Sequence, residues 1–188
     1  MIIEKIKKIL GSGGSNNTQN KTTNEEKIKN RIAKGMIEES SFIKKGEHRK
    51  AIKHITGEID LLKSGQPLTL NEKKDFNLNT RRKMTHDLIN IIEMEGTDLN
   101  EALKEIDRMS LVTRSKAQRE IHFKGISEEG LFKKVELMAP NDHRACRWCK
   151  SRNKKIFTVK TSSIDEIEEV INENCTCEPW RIAMVTKV

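Results

Sequence analysis

The order of apolar and polar positions along this chain changes character several times. Met1 to Leu10 places Ile2, Ile3, Ile6, Ile9 and Leu10 at helical spacing opposite Lys5, Lys7 and Lys8, which predicts a short amphipathic helix over residues 1–10. Residues 11–23 are Gly, Ser, Asn, Thr, Gln and Lys with no hydrophobic side chain, the composition of a flexible linker. From Asn24 to Ser64 a helical period returns. Asn24 is the expected cap, Ile28, Ile32, Met36 and Ile37 form one face, and Ile52, Ile55, Ile59 and Leu62 form a second, with Gly35 and Gly46 as expected breaks. After Gly65-Gln66-Pro67 and a polar stretch, Thr80 is the expected cap of a helix carrying Met84, Leu88, Ile91 and Ile92 and ending at Gly96. Thr97-Asp98-Leu99-Asn100-Glu101 then opens a helix through Leu103 and Ile106, and Ser110 or Thr113 opens another running to about Phe123.

Near Gly130 the period shortens from helical to alternating. Residues 131–138 and 155–160 read as strands, Pro140-Asn141-Asp142 as a turn, and Ser162-Ser163 as the cap of a helix with Ile164, Ile167, Val170 and Ile171 on one face. Residues 179–185 read as a last strand. The predicted fold class is α+β: a helical N-terminal region over 24–110, followed by a small zinc-stabilised α+β module over 111–188.

Composition explains why the module needs help. The 188 residues are 35% hydrophobic, 4% aromatic and 34% charged, with a mean hydropathy of −0.69, so apolar side chains are too scarce for one large core. No apolar run approaches the roughly 18 residues of a membrane span, and the charged first ten residues do not make a signal-peptide core, so neither a transmembrane span nor secretion is expected.

Thirty-six Lys and Arg against 28 Asp and Glu give a net charge of +8, which invites a polyanion partner. The densest basic run, Lys44 to His54, is broken by Glu47 and has no interleaved aromatic, so it reads as a solvated helix face. From Pro140 onward nine Lys and Arg face seven Asp and Glu. The last quarter therefore looks nearly balanced.

All four cysteines fall in that last quarter. Cys146-Arg147-Trp148-Cys149 is a Cys-x-x-Cys pair and Cys175-Thr176-Cys177 a Cys-x-Cys pair, with a predicted strand and helix between them. Four thiolates suit tetrahedral Zn²⁺, and a site closed by four sulfurs leaves no position for water or substrate, so it is structural. His143 could replace one sulfur. Unligated thiols and a redox-active pair are the competing readings. The redox reading requires Cys-x-x-Cys at the start of a helix that follows a strand, and it leaves the second pair without a role.

No catalytic motif accompanies the cysteines. None of the five histidines is followed two residues later by Glu, as a zinc deaminase requires, and there is no phosphate-binding glycine loop, His-Glu-x-x-His helix or Gly-x-Ser-x-Gly elbow. A non-enzymatic protein without a small-molecule substrate is expected. In a rival reading, Arg147, Lys150, Arg152, Lys154 and Lys155, with Arg144, form a phosphate-contacting stripe around Trp148 in a nucleic-acid-binding zinc protein of a mobile element.

The segment Ser115-Lys116-Ala117-Gln118-Arg119-Glu120, the turn Asp142-His143-Arg144-Ala145-Cys146-Arg147-Trp148-Cys149 and the closing Asn174-Cys175-Thr176-Cys177-Glu178-Pro179 together resemble the phage minor head proteins, the Mu protein F-like head morphogenesis group. The resemblance covers about Leu111 to Val188. It implies a virion or prophage component present in a few copies near the portal, meeting portal or other head proteins and packaged DNA, located in the virion or the host cytoplasm. Arg119-Glu120 would be the helix signature and Cys175 and Cys177 the closing pair, while Asp142 and Arg144 would fix the turn.

Overall fold

The computed structural model describes residues 15–130, 133–140, 142–160, 162–177 and 183–187, and for 15–23, 129 and 183–187 the backbone alone. The predicted helix over 1–10 lies outside the described residues. Helix α1 spans Ser15–Glu39, so the predicted flexible linker is helical from Ser15 onward and Asn24 is not a cap. Once the amphipathic segment 24–39 is helical, each further residue adds one hydrogen bond without a new nucleus, which offsets the modest propensity of Ser, Asn and Thr. Gly35 does not break α1 either, because an interior glycine costs only about 1 kcal/mol.

Ile28, Ala33 and Ile37 of α1 are buried. Ala33 and Ile37 share a core with Ala51 and Ile55 of α2 (His48–Thr56), both fully buried, and α2 follows a 3-10 turn at Lys45–Glu47. Gly57, in the left-handed conformation, ends α2, so Ile59 and Leu62 pack against the core from the following loop and not from a helix. The expected polar stretch contains a helix that the reading above lacks, α3 (Leu70–Asp75), held by a reciprocal Thr69–Glu72 capping box.

Helix α4 is short, His86–Asn90, and its cap is Thr85, not Thr80. The Thr85 hydroxyl accepts from the Leu88 N–H and donates to the Leu61 carbonyl, which fixes the helix start from a loop 24 residues upstream. Main-chain bonds from Lys44 to Ile91 and from Leu68 to Met84 bind these loops together.

Helix α5 is a single element, Leu99–Glu129, where two helices were expected. Ser110 does not cap; its hydroxyl bonds back to the Ile106 carbonyl at 3.0 Å, and the helix continues for about 46 Å in all. The expected boundary between residues 110 and 111 therefore falls inside a helix. Leu99, Ala102, Leu103, Ile106 and Met109 belong to the helical core, while Phe123 and Ile126 belong to a second core. Gly130, at φ +64°, ends the helix by bonding to the Ile126 carbonyl.

Beyond Gly130 lies the α+β module. Strands β1 (Lys134–Met138), β2 (Ile156–Thr158) and β3 (Ala183–Lys187) form an antiparallel sheet in the order β2-β1-β3. Strand β2 is shorter than the expected 155–160, and β3 runs on to Lys187; residues 131–132 and 179–182 of the predicted strands lie outside the described residues. Val135 and Leu137 are buried on one sheet face with Ile167 and Ile171 of α7 (Ile164–Asn174), which Ser163 and Glu166 cap reciprocally. Between β1 and β2 sits α6 (Arg147–Arg152). The architecture is thus a helical N-terminal region followed by a small α+β module that carries all four cysteines.

Candidate metal centre

Two elements bring the cysteines together. Cys146 is the N-cap of α6, so the first turn of that helix turns Cys149 inward. Cys175 is the C-cap of α7, its N–H bonded to the Ile171 carbonyl at 2.8 Å, and Cys177 follows two residues on in extended chain. All four Sγ atoms lie within 4.8 Å of one another, and Cys149, Cys175 and Cys177 are buried. Cys149 Sγ is 3.3 Å from Cys175 Sγ and 3.6 Å from Cys177 Sγ.

Those separations decide between bonding modes. A disulfide needs about 2.05 Å, whereas four sulfurs about 2.3 Å from a central ion lie roughly 3.8 Å apart. The cysteines are free thiols at a spacing that fits tetrahedral coordination. Backbone N–H groups also point at the sulfurs: Cys146 N–H donates to Cys177 Sγ at 2.9 Å and Cys149 N–H to Cys146 Sγ at 3.4 Å. Such donors disperse the negative charge left when four thiolates surround one divalent cation. The four cysteines could therefore hold a metal ion.

Burial raises the Cys146 thiol, but N–H bonds from Cys149 and Thr176 and contacts with Cys177 and Cys149 outweigh it, and the group is lowered to about 6. Burial, reinforced by its neighbours' thiols, pushes Cys149 well up. Cys175 rises to about 11 for the same first reason, against an opposing N–H bond from Cys177. Cys146 thus leans toward the thiolate, while Cys149 and Cys175, without a cation, lean toward the protonated thiol. The placement of Cys146 at a helix start after a strand is also what the redox reading asks for. The sheet is antiparallel, though, and Cys175 and Cys177 fill the remaining corners of the cluster, which a two-thiol redox pair would not need.

His143 is exposed and is not a member of the cluster, so the alternative ligand is not brought to the site. Asp142 accepts from the Arg144 N–H at 2.9 Å and from its guanidinium, and the hydrogen bonds from Arg144 lower the Asp142 carboxyl to about 2. This closed pair shapes the turn that leads into Cys146. Arg147, Lys150, Arg152 and Lys154 are exposed, and Lys155 lies with its ammonium 5.0 Å from the Phe157 ring centre. Trp148 is partly buried against the module core.

Arg119 and Glu120 point in different directions. Arg119, 3% exposed, forms a two-pronged pair with Glu168 of α7 at 2.5 and 2.9 Å, while Glu120 accepts from Arg31 of α1. Neighbouring residues on α5 thereby tie the module helix and the N-terminal helix to the same turn. Glu168 was not singled out in the sequence, where it is one of several acids on an amphipathic helix. Its distinguishing mark is position: it stands one residue after Ile167, at the edge of the buried face. Residues from α1, α5 and α7 line a cleft of about 450 Å³ there, with Glu39, Glu120, Asp165, Glu168, Glu169 and Glu173 among them. No described helix is long and apolar enough to cross a membrane. In comparison with known proteins, the chain matches no protein-family model, no curated protein and no solved structure.

Proposed function

We propose that this chain is a non-enzymatic minor head component of a phage or prophage, acting in head morphogenesis or DNA delivery, with a module held together by one Zn²⁺ on Cys146, Cys149, Cys175 and Cys177. The observation that carries the metal part is the clustering of four free thiols within 4.8 Å at the junction of α6 and α7. Bound zinc would supply folding free energy to a module whose described core includes three of the four cysteines, and a four-sulfur shell leaves no place for a substrate. The head-protein part is supported by the resemblance of residues 111–188 in the Arg119-Glu120 helix, the Asp142–Arg144 turn and the two cysteine pairs. In that role the helical region docks on portal or other head proteins in the virion, and the module acts as a rigid appendage beside packaged DNA.

The test is metal content with thiol accessibility. One zinc per chain, four thiols unreactive until a strong chelator is added, and loss of module structure on chelation are the expected results. A metal-free protein whose module stays folded overturns the zinc assignment. The head-protein reading has its own check, since the gene should lie beside portal and scaffold genes; a locus without them removes it.

A further inference from the structure

The balanced charge of the last quarter conceals a separation by element. Between Pro140 and Lys160 there are seven Lys and Arg against one carboxylate, Asp142, and that carboxylate is engaged by Arg144. Between Thr161 and Cys177 there are five carboxylates and no Lys or Arg. The fold keeps the two groups apart: α7 carries the acids, Glu168 at the cleft beside α1 and α5, whereas the bases ride on α6 and the β1–β2 pair, where Glu136 in the middle of β1 is the one carboxylate among the described residues.

Along that pair the bases form a line. Lys133 accepts through its carbonyl from the Val159 N–H, which sets Lys133, Lys134 and Lys160 at one end. The Lys155 carbonyl accepts from Leu137, and Lys154 donates to Leu137, which sets Lys154 and Lys155 at the other. Arg152, Lys150 and Arg147 continue the line on α6. From Lys155 to Thr158 the chain is extended over about 10 Å before it turns at Lys160, and the α6 turns lengthen the line. Among the described residues, none of Lys133, Lys134, Arg147, Lys150, Arg152, Lys154 and Lys160 has a carboxylate within 4.0 Å, and all seven are exposed.

From this we infer that the α6–β2 edge of the module is a binding surface for the phosphate backbone of nucleic acid, without base readout. A duplex presents a charge about every 1.7 Å of its axis, so a line of this length meets more phosphates than it has cations. Among the described residues of this edge no aromatic side chain is free to stack on bases: Trp148 is partly buried in the core and Phe157 is partly buried beneath the Lys155 ammonium. Contact is therefore with phosphates, and affinity is indifferent to sequence and steep in salt. The acidic cleft on the other elements repels the same ligand and restricts the contact to one edge. This surface extends beyond the head-protein reading and does not depend on it, since phosphate contact would serve any protein working beside DNA.

The experiment uses the full chain in its metal-loaded form and a 20-base-pair duplex of arbitrary sequence, titrated from 50 to 300 mM salt. With six or so phosphates engaged, log affinity should fall against log salt with a slope of about −5. The variant Lys150→Gln/Arg152→Gln/Lys154→Asn/Lys160→Gln should lose at least tenfold in affinity at 100 mM salt and flatten the slope by about 3 to 4. Asn suits position 154, whose φ is +70°. A second variant removes four charges from the helical region, Lys45→Gln/Arg49→Gln/Lys74→Gln/Lys83→Gln, and should lose less than threefold. Unchanged thiol protection in both variants reports an intact module. Equal losses in the two variants, absence of duplex binding at 50 mM salt, binding to anionic vesicles in place of the duplex, or concentration-dependent self-association abolished by the first variant would each overturn the proposal.

Discussion

The two cores of this molecule solve the same problem with different material. The helical core gathers eighteen buried residues from α1 to the first half of α5, nearly all aliphatic, with Ile37, Ile55, Ile91 and Ile92 fully buried. Among the described residues the module core has ten, and three of them are cysteines; the others are Phe123, Ile126, Val135, Leu137, Ala145, Ile167 and Ile171. Buried aliphatic area is worth roughly 25 cal/mol per Å², and thiols packed beside one another contribute less of it per residue. The first core closes by hydrophobic burial alone. The second is built from the end of α5, the two shorter helices α6 and α7 and a sheet with a three-residue edge strand, and it converges on sulfur where the other converges on isoleucine.

Cys149→Ser should separate the two cores most sharply. Structural zinc contributes on the order of 10 kcal/mol in small domains, so the variant should lose metal and amide protection across 133–187 while 28–109 stays protected by hydrogen exchange. If module protection persists, its apolar residues suffice and the contrast between the cores fails.

The tie between them is next in size. Arg119→Ala leaves Glu168 poorly compensated beside a buried surface and should cost about 3 kcal/mol in denaturant unfolding, because breaking one side of a buried pair is more damaging than removing both. Replacing Arg119 and Glu168 together by Leu should recover most of that loss. A double variant as unstable as the single one would mean that Arg119 acts through packing and not through its pair.

The smallest effect belongs to the helical core alone. Burial is the main cause that lowers the His54 pKa below 6.5, opposed by a hydrogen bond involving the Ile59 backbone and by Asp60 and Asp107; neutral Nδ1 accepts the Leu61 N–H at 3.3 Å. A pKa depressed in the folded state means that the unfolded chain takes up the proton first. The His54 contribution is therefore intact above about pH 6.5 and declines as pH falls through the folded value. The urea midpoint of helical-core unfolding should drop between pH 7.5 and 5, and His54→Gln, which keeps an acceptor, should reduce that drop. Equal slopes in both proteins would exclude His54 as the source.

Much of this was written in local pattern. The Ile28–Ile37 face, the start of α5 within residues 97–101, the Ser163 cap of α7 and the clustering of the cysteine pairs follow from periodicity and short-range capping chemistry. The Thr69-x-x-Glu72 capping box is equally legible, although the residues around it are polar. Thr80 against Thr85 was not decidable locally. Both precede apolar residues, and the choice rests on the Leu61 carbonyl reaching Thr85 from 24 residues away. The continuity of α5 through Ser110 and Thr113 has the same character, since the two cores it joins hold it straight.

By itself the sequence determined that a helical region precedes an α+β module and that four thiols would converge in the latter, because alternation, helical period and cysteine spacing are properties of neighbouring residues. Tertiary structure decided which thiols face one another and at what separation, that His143 stays outside, and that Arg119 and Glu120 reach different helices. It also showed that an apparently balanced charge is divided between two surfaces. Each of these depends on residues distant in the chain meeting across a core, and composition cannot carry that information.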